Sequence, residues 1–164
     1  MKDNRVFVDT NIFIYAIMED ERSKDKHRRA VSLFNQLSDQ VVFINTQVIN
    51  EIYSVMLKHD IDDKAIQDKI AAIIKETNIS FVNLETIKKC WDIRIRYKYS
   101  YWDSLILASA IENHCDVLYS EDMQKNQVID NSIKIINPFI NWNIILYVSS
   151  EPLSANTFLM DSFV

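Results

Sequence analysis

The sequence predicts a three-layer α/β domain built around a mostly parallel sheet. Three observations lead there. Short apolar runs of strand length alternate with longer stretches of helical period between residues 5 and 136. One helical stretch, residues 102–113, is apolar nearly all the way round, as expected of a helix covered on every side. The chain has 164 residues with 48% hydrophobic and 25% charged, which suits a globular protein with one buried core.

In chain order, residues 5–8 read as a short buried strand and residues 11–18 as an apolar helix. Residues 24–37 place Ala30, Val31, Leu33, Phe34 and Leu37 at helical spacing. The first turns of that helix carry Lys24, Lys26, His27, Arg28 and Arg29, where cations oppose the helix dipole. The run is therefore either a solvated face or a phosphate-facing patch. Residues 41–44 form a second strand, and Thr46 is the expected N-cap of a helix to residue 58. On it Val48, Ile49, Ile52, Val55 and Met56 make the apolar stripe, with Gln47, Glu51, Ser54 and Lys58 opposite. A helix over 62–75, a strand over 79–82 and a helix over 85–96 precede the buried helix, and strands at 116–120 and 132–136 follow it before Pro138. Residues 144–148 suggest a further strand, and the rest of the tail has no usable period. We expect a domain over 1–139 and an extension over 140–164.

Composition excludes several chemistries. With no glycine, the phosphate-binding loop, the dinucleotide fingerprint and the nucleophile elbow are all ruled out, because each needs residues without a β-carbon. Turns with positive φ then fall to residues such as Asn78, Asn113 or Asn126. The net charge of -5 argues against coating nucleic acid or anionic lipid through the overall field. The apolar run that ends at Asp9 is too short for a signal peptide, and no stretch approaches membrane-spanning length. Cys90 and Cys115 have neither zinc nor redox-motif spacing. The expected location is the cytoplasm, without a membrane partner.

Function is signalled by Asp9, Glu51, Asp103 and Asp122, which stand where predicted strands end or helices begin. Each has an ordinary explanation alone: a cap, an exposed charge, a favourable dipole contact or the start of a turn. Together they lie at one edge of a parallel sheet, beyond the carboxyl ends of the strands, where such folds bind ligands. Gathered carboxylates repel unless a cation sits between them. An all-oxygen set with no histidine or cysteine nearby favours Mg²⁺ or Mn²⁺ over zinc. Such an ion keeps waters, one of which can act as nucleophile on a phosphodiester.

At these residues the chain resembles the PIN domains, and among them the VapC-type toxins of toxin-antitoxin pairs. The matching segments are Phe7-Val8-Asp9-Thr10-Asn11-Ile12-Phe13-Ile14-Tyr15-Ala16, Gln47-Val48-Ile49-Asn50-Glu51, Trp102-Asp103-Ser104-Leu105-Ile106-Leu107-Ala108-Ser109-Ala110 and Val117-Leu118-Tyr119-Ser120-Glu121-Asp122-Met123-Gln124. They occur in the family's order, and Ile136-Asn137-Pro138-Phe139 resembles its last strand and exit. The resemblance covers residues 4–139. It implies a Mg²⁺- or Mn²⁺-dependent endoribonuclease, with Asp9 and Asp103 as principal ligands and Glu51 and Asp122 completing the pocket. It also implies that Asn11 and Ser120 orient carboxylates or waters, that Asp122 rather than Glu121 is the fourth acid, and that the protein forms a homodimer inhibited by a cognate antitoxin. Relatives often carry glycine at the position of His114 and again shortly after Gln124, so the turns here need other residues.

Residues 94–102 interleave Arg94, Arg96 and Lys98 with tyrosines and Trp102 just before Asp103, a pattern that can contact phosphates and stack on unpaired bases. With Lys24 and Arg28 these are the candidate RNA contacts; a helix end with favourable cations is the structural alternative. Two rival functions remain at this stage. A haloacid-dehalogenase-like phosphotransferase needs a second Asp where Asn11 stands. A non-catalytic nucleic-acid or protein-binding module would keep the fold without the chemistry.

Overall fold

A computed structural model describes residues 4–140. The expected strand at 144–148 and the extension from 141 onward lie outside the described residues. The elements run β1 (Arg5–Val8), α1 (Thr10–Ile17), α2 (Lys24–Gln36), β2 (Val41–Asn45), α3 (Thr46–Lys58), α4 (Asp63–Glu76), β3 (Asn78–Ser80), α5 (Leu84–Tyr97), α6 (Tyr101–Glu112), β4 (Val117–Tyr119), β5 (Val128–Ile129) and β6 (Ile133–Ile136).

The strands form one sheet in the order β3-β2-β1-β4-β6-β5, parallel except for β5, which pairs antiparallel with β6. The chain first moves outward from β1 to β3, then returns to lay β4 on the other side of β1. Right-handed crossovers in these opposite directions place α1 to α4 on one face and α5 with α6 on the other. The result is the expected three-layer α/β/α arrangement. Strand order reverses between β1 and β4, which opens a crevice at their carboxyl ends.

Both sheet faces are covered, so the strands are apolar without alternation: Val6, Phe7 and Val8 are all buried, as are Val42, Phe43 and Ile44. Phe13 of α1 and Phe34 of α2 meet with ring centroids 4.8 Å apart. In α6 every residue from Ser104 to Ala110 is buried, as its all-round apolar pattern predicts. One polar bridge crosses this core. Asn45 accepts from the Val48 N–H at 3.0 Å and donates to the Ser109 hydroxyl at 2.8 Å, tying the start of α3 to the middle of α6.

Several sequence expectations need correction. Asn45, not Thr46, caps α3: its side-chain oxygen accepts the Val48 N–H, and Thr46 is already the first helical residue. Gln47 is buried rather than on a solvent face. The third strand is Asn78–Ser80, earlier than 79–82: its pairing with β2 ends at Ser80, opposite Asn45, where β2 itself stops. The two-residue β5 was not expected, since so short a run leaves no period. Positive φ occurs at Asn126 as expected, but Asn78 and Asn113 are not among the left-handed residues, which also include Asp60, Lys98, His114, Asp130 and Asn131. His114 and Asn126 both adopt this left-handed conformation without being glycine.

Lys98 closes α5 in the left-handed conformation (φ 62, ψ 21), its N–H donating to the Arg94 carbonyl. A β-carbon is disfavoured there, and glycine is the preferred closing residue. Lys98→Gly is expected to raise the unfolding free energy by about 1 kcal/mol, read from urea denaturation. A loss of stability would mean that the lysine side chain contributes more than its backbone costs.

Candidate active site

The crevice between β1 and β4 is built around Asp9. Its backbone extends the β1–β4 ladder, the N–H donating to the Tyr119 carbonyl at 3.0 Å, while its side chain caps α1. The carboxylate accepts from the Thr10 N–H at 2.7 Å and the Ser120 hydroxyl at 2.8 Å. Ser120 is fixed in turn by its own N–H, which donates to the Ile136 carbonyl of β6 at 3.0 Å. Asp9 is 7% exposed, and burial pushes its pKa up from 3.8 to about 6. The Ser120 and Thr10 hydrogen bonds oppose this rise, and the negative charges of Glu51 and Asp103 add to it.

The other three acids surround it. Glu51, on the second turn of α3, accepts from the Thr10 hydroxyl and from the Gln47 amide at 2.8 Å. Asp103, in the first turn of α6, accepts from the Ser100 hydroxyl at 2.6 Å, and Ser100 caps the helix by accepting the Asp103 N–H. Asp122, in the turn after β4, accepts from the Asn11 amide at 2.5 Å. Burial, followed by the charges of Glu121 and Asp103, raises its pKa. Neighbouring Glu121 is instead taken up by Lys26, which also contacts the Tyr15 hydroxyl at 3.0 Å and lies over the Tyr15 ring.

Asp103 is thus electrostatically coupled to Asp9 and to Asp122, and Glu51 to Asp9. Among the described residues none of these four acids forms a salt bridge. Their partners are neutral donors, so the negative charge is oriented but not neutralised. The oxygen-only set fits a hard divalent cation in its chemistry. Among the described residues, however, no three His, Cys, Asp or Glu side chains are gathered closely enough to hold an ion as they stand. Like charges without a counter-ion keep apart, so sharing a cation would require the carboxylates to turn toward one another.

Three anchoring residues were not singled out from sequence: Thr10 and Gln47, which hold Glu51, and Ser100, which holds Asp103. Their signals were local, namely adjacency to Asp9, the i−4 position on a helix, and a serine three residues before an acid. Four of the five candidate RNA contacts have partners elsewhere, and the fifth, Lys98, serves α5 through its backbone. Arg94 donates to the Tyr99 carbonyl at 2.6 Å, Arg96 pairs with Asp130, and Lys98 closes α5. Lys24 lies 3.6 Å from Glu21, and Arg28 lies 3.1 Å from Asp25. None of these bonds reaches the acids. Both Lys24 and Arg28 are well exposed, where such pairs are weak and exchangeable.

The PIN domain family profile matches residues 6–128, and the chain belongs to that family. The haloacid-dehalogenase-like reading is thereby set aside. Solved structures share the fold. VapC20 of Mycobacterium tuberculosis, described as a toxin that cleaves the sarcin-ricin loop, is 21% identical with a TM-score of 0.55, over 69% of this chain and 86% of that one. A toxin-antitoxin complex from Klebsiella pneumoniae is 16% identical with a TM-score of 0.61, over 81% and 97%. VapBC2 of Rickettsia felis, bound to a promoter DNA fragment, is 17% identical with a TM-score of 0.58, over 81% and 99%. No curated protein matches the chain.

A carboxylate whose pKa rises on folding destabilises the folded state once it ionises. Between pH 3.8 and about 6 the folded protein binds the extra proton, so stability falls as pH rises through that window. The full cost above it is on the order of 3 kcal/mol. In metal-free buffer, Asp9→Asn is expected to raise stability at pH 7.5 by about 1–3 kcal/mol, with the gain vanishing below pH 4. Equal melting of both proteins at pH 7.5 would show that Asp9 carries no such burden.

Proposed function

We propose that this PIN domain is a Mg²⁺- or Mn²⁺-dependent endoribonuclease and the toxin of a type II toxin-antitoxin pair, acting in the cytoplasm. The observation that carries the reading is a buried carboxylate, Asp9, coupled to Glu51 and Asp103 without a cationic partner at the switch point of a parallel sheet. A divalent ion held by Asp9 and Asp103, with Glu51 and Asp122 directly or through water, would activate a water nucleophile and offset charge on the phosphodiester.

The chain's own residues do the positioning. Ser120 and the Thr10 N–H fix the Asp9 carboxylate. Thr10 and Gln47 hold Glu51, Asn11 holds Asp122, and Ser100 holds Asp103. Donors of this kind set carboxylate orientation and commonly contribute 10–100-fold to metal affinity or activity. Lys24, Arg28, Arg94, Arg96 and Lys98 are proposed to meet the RNA backbone away from the acids, the exposed pairs of Lys24 and Arg28 being weak enough to exchange for phosphates.

The inhibitory partner fits the same electrostatics, since a basic side chain laid into the crevice would supply the missing counter-charge. The solved toxin-antitoxin complexes of the same fold support such a partner. Leu84, Trp91 and Ile95 form an exposed stripe along α5, and apolar surface of that kind favours a protein contact, including a homodimer. Among the described residues no helix is long and apolar enough to cross a membrane. Residues 1–139 are proposed as the nuclease unit and 140–164 as an appendage.

Calorimetric titration of Mn²⁺ comes first, because it needs no knowledge of the RNA. The wild type is expected to bind, and folded Asp103→Asn to bind at least about tenfold more weakly. No binding to the wild type would favour the non-catalytic binding module, which the separation of the acids on neutral donors would then explain. In a cleavage assay Asp9→Asn and Asp103→Asn are expected to lose at least about 100-fold, and Ser120→Ala about 10–100-fold. Full activity in either aspartate variant would refute the assigned roles.

A further inference from the structure

Beside the acids lies a cleft of ≈490 Å³ between α3 and the start of α6, walled by Gln47, Asn50, Glu51 and Ser54 on one side and by Trp102 and Leu105 on the other. We propose that it receives one nucleobase of the substrate, its face on Trp102 and its edge toward the Gln47 carbonyl oxygen. The proposal rests on the ribonuclease reading and adds a recognition element to it.

Four observations support a base as the occupant. Among the described residues no basic side chain lines the cleft, and its one charged residue is Glu51, so it suits a neutral group rather than a phosphate. Trp102 is 59% exposed and its indole is set edge-on against Tyr101, with centroids 5.1 Å apart, which offers an oriented aromatic platform. The Gln47 carbonyl oxygen is buried and accepts no hydrogen bond, while its amide is committed to Glu51. An exocyclic amino group or ring N–H of a base supplies the missing donor, and Asn50 and Ser54 add polar edges at the rim. Finally, Glu51 belongs to both the cleft and the acid group, so a nucleotide with its phosphate at the acids has its base at the cleft. A paired base cannot present its face or its Watson–Crick edge, which confines the substrate to single strands and loops.

The test reads binding rather than cleavage. Single-stranded RNA hexamers of mixed sequence are titrated into the full chain by fluorescence anisotropy, with Ca²⁺ in place of Mg²⁺. Trp102→Ala is expected to weaken binding about tenfold or more, and Trp102→Phe to restore most of it. Ser54→Trp, which fills the cleft and leaves Trp102 in place, is expected to weaken it similarly. A hexamer made wholly of abasic sugar-phosphate should bind wild type and Trp102→Ala alike. If Trp102→Ala and Ser54→Trp bind the hexamers as wild type does, the base site is refuted, the ribonuclease reading stands, and the cleft passes to a protein partner. If the wild type binds no hexamer, the base site is refuted as well, and Mn²⁺ titration and cleavage decide separately whether the ribonuclease reading survives.

Discussion

The structure turns on one buried carboxylate that has no counter-charge. Asp9 ends β1, caps α1, and takes a hydrogen bond from Ser120 at the end of β4. These contacts fix where the central strands stop and where the first helix begins. They leave the charge in a poorly solvated place beside Glu51 and Asp103. Stability alone would favour a neutral amide there. A fold that keeps the acid at an energetic cost does so where the charge has a use.

The remaining geometry serves to hold other acids near that point without letting them collapse onto one another. Each has a neutral donor of its own: Thr10 and Gln47 for Glu51, Ser100 for Asp103, Asn11 for Asp122. The buried Asn45–Ser109 bridge ties the start of α3, which carries Glu51, to α6, which carries Asp103. Lys26 holds Glu121, the acid next to Asp122. The charge of Lys26 also reaches Asp122, where it offsets only part of the rise in pKa caused by burial.

Much of this was legible in the sequence because strand and helix periods are strong in this chain. The buried α6 declared itself by apolar residues on every side, and β1, β2 and β4 by short apolar runs ending in polar residues. The acids were legible because strands and helix starts point them at one edge. What was missed depended on distance or on very short elements. Gln47 looked like a surface residue by helical phase, yet it is buried in the wall of the cleft between α3 and the start of α6. β5 has two residues and owes its existence to β6. Left-handed turns fell on Asn126 and Asn131, as propensity favours, but also on Lys98 and His114, where the ends of α5 and α6 set the backbone, and not on Asn78 or Asn113. The basic run at the start of α2 offered a choice between solvent and phosphate. Part of it instead makes structural contacts, with Lys26 on Glu121 and Arg29 on the Phe139 carbonyl.

The bond between Asp9 and Ser120 also has a consequence in time. Its two residues are separated by 111 positions, and Ser120 is itself held by Ile136. A chain emerging from the ribosome therefore has its first acid long before it has the strands that seat it. Until β4 and β6 are made and docked, the crevice does not exist. Assembly of the crevice must therefore wait for residues 117–136, and a chain cut short before them lacks the seat that holds Asp9.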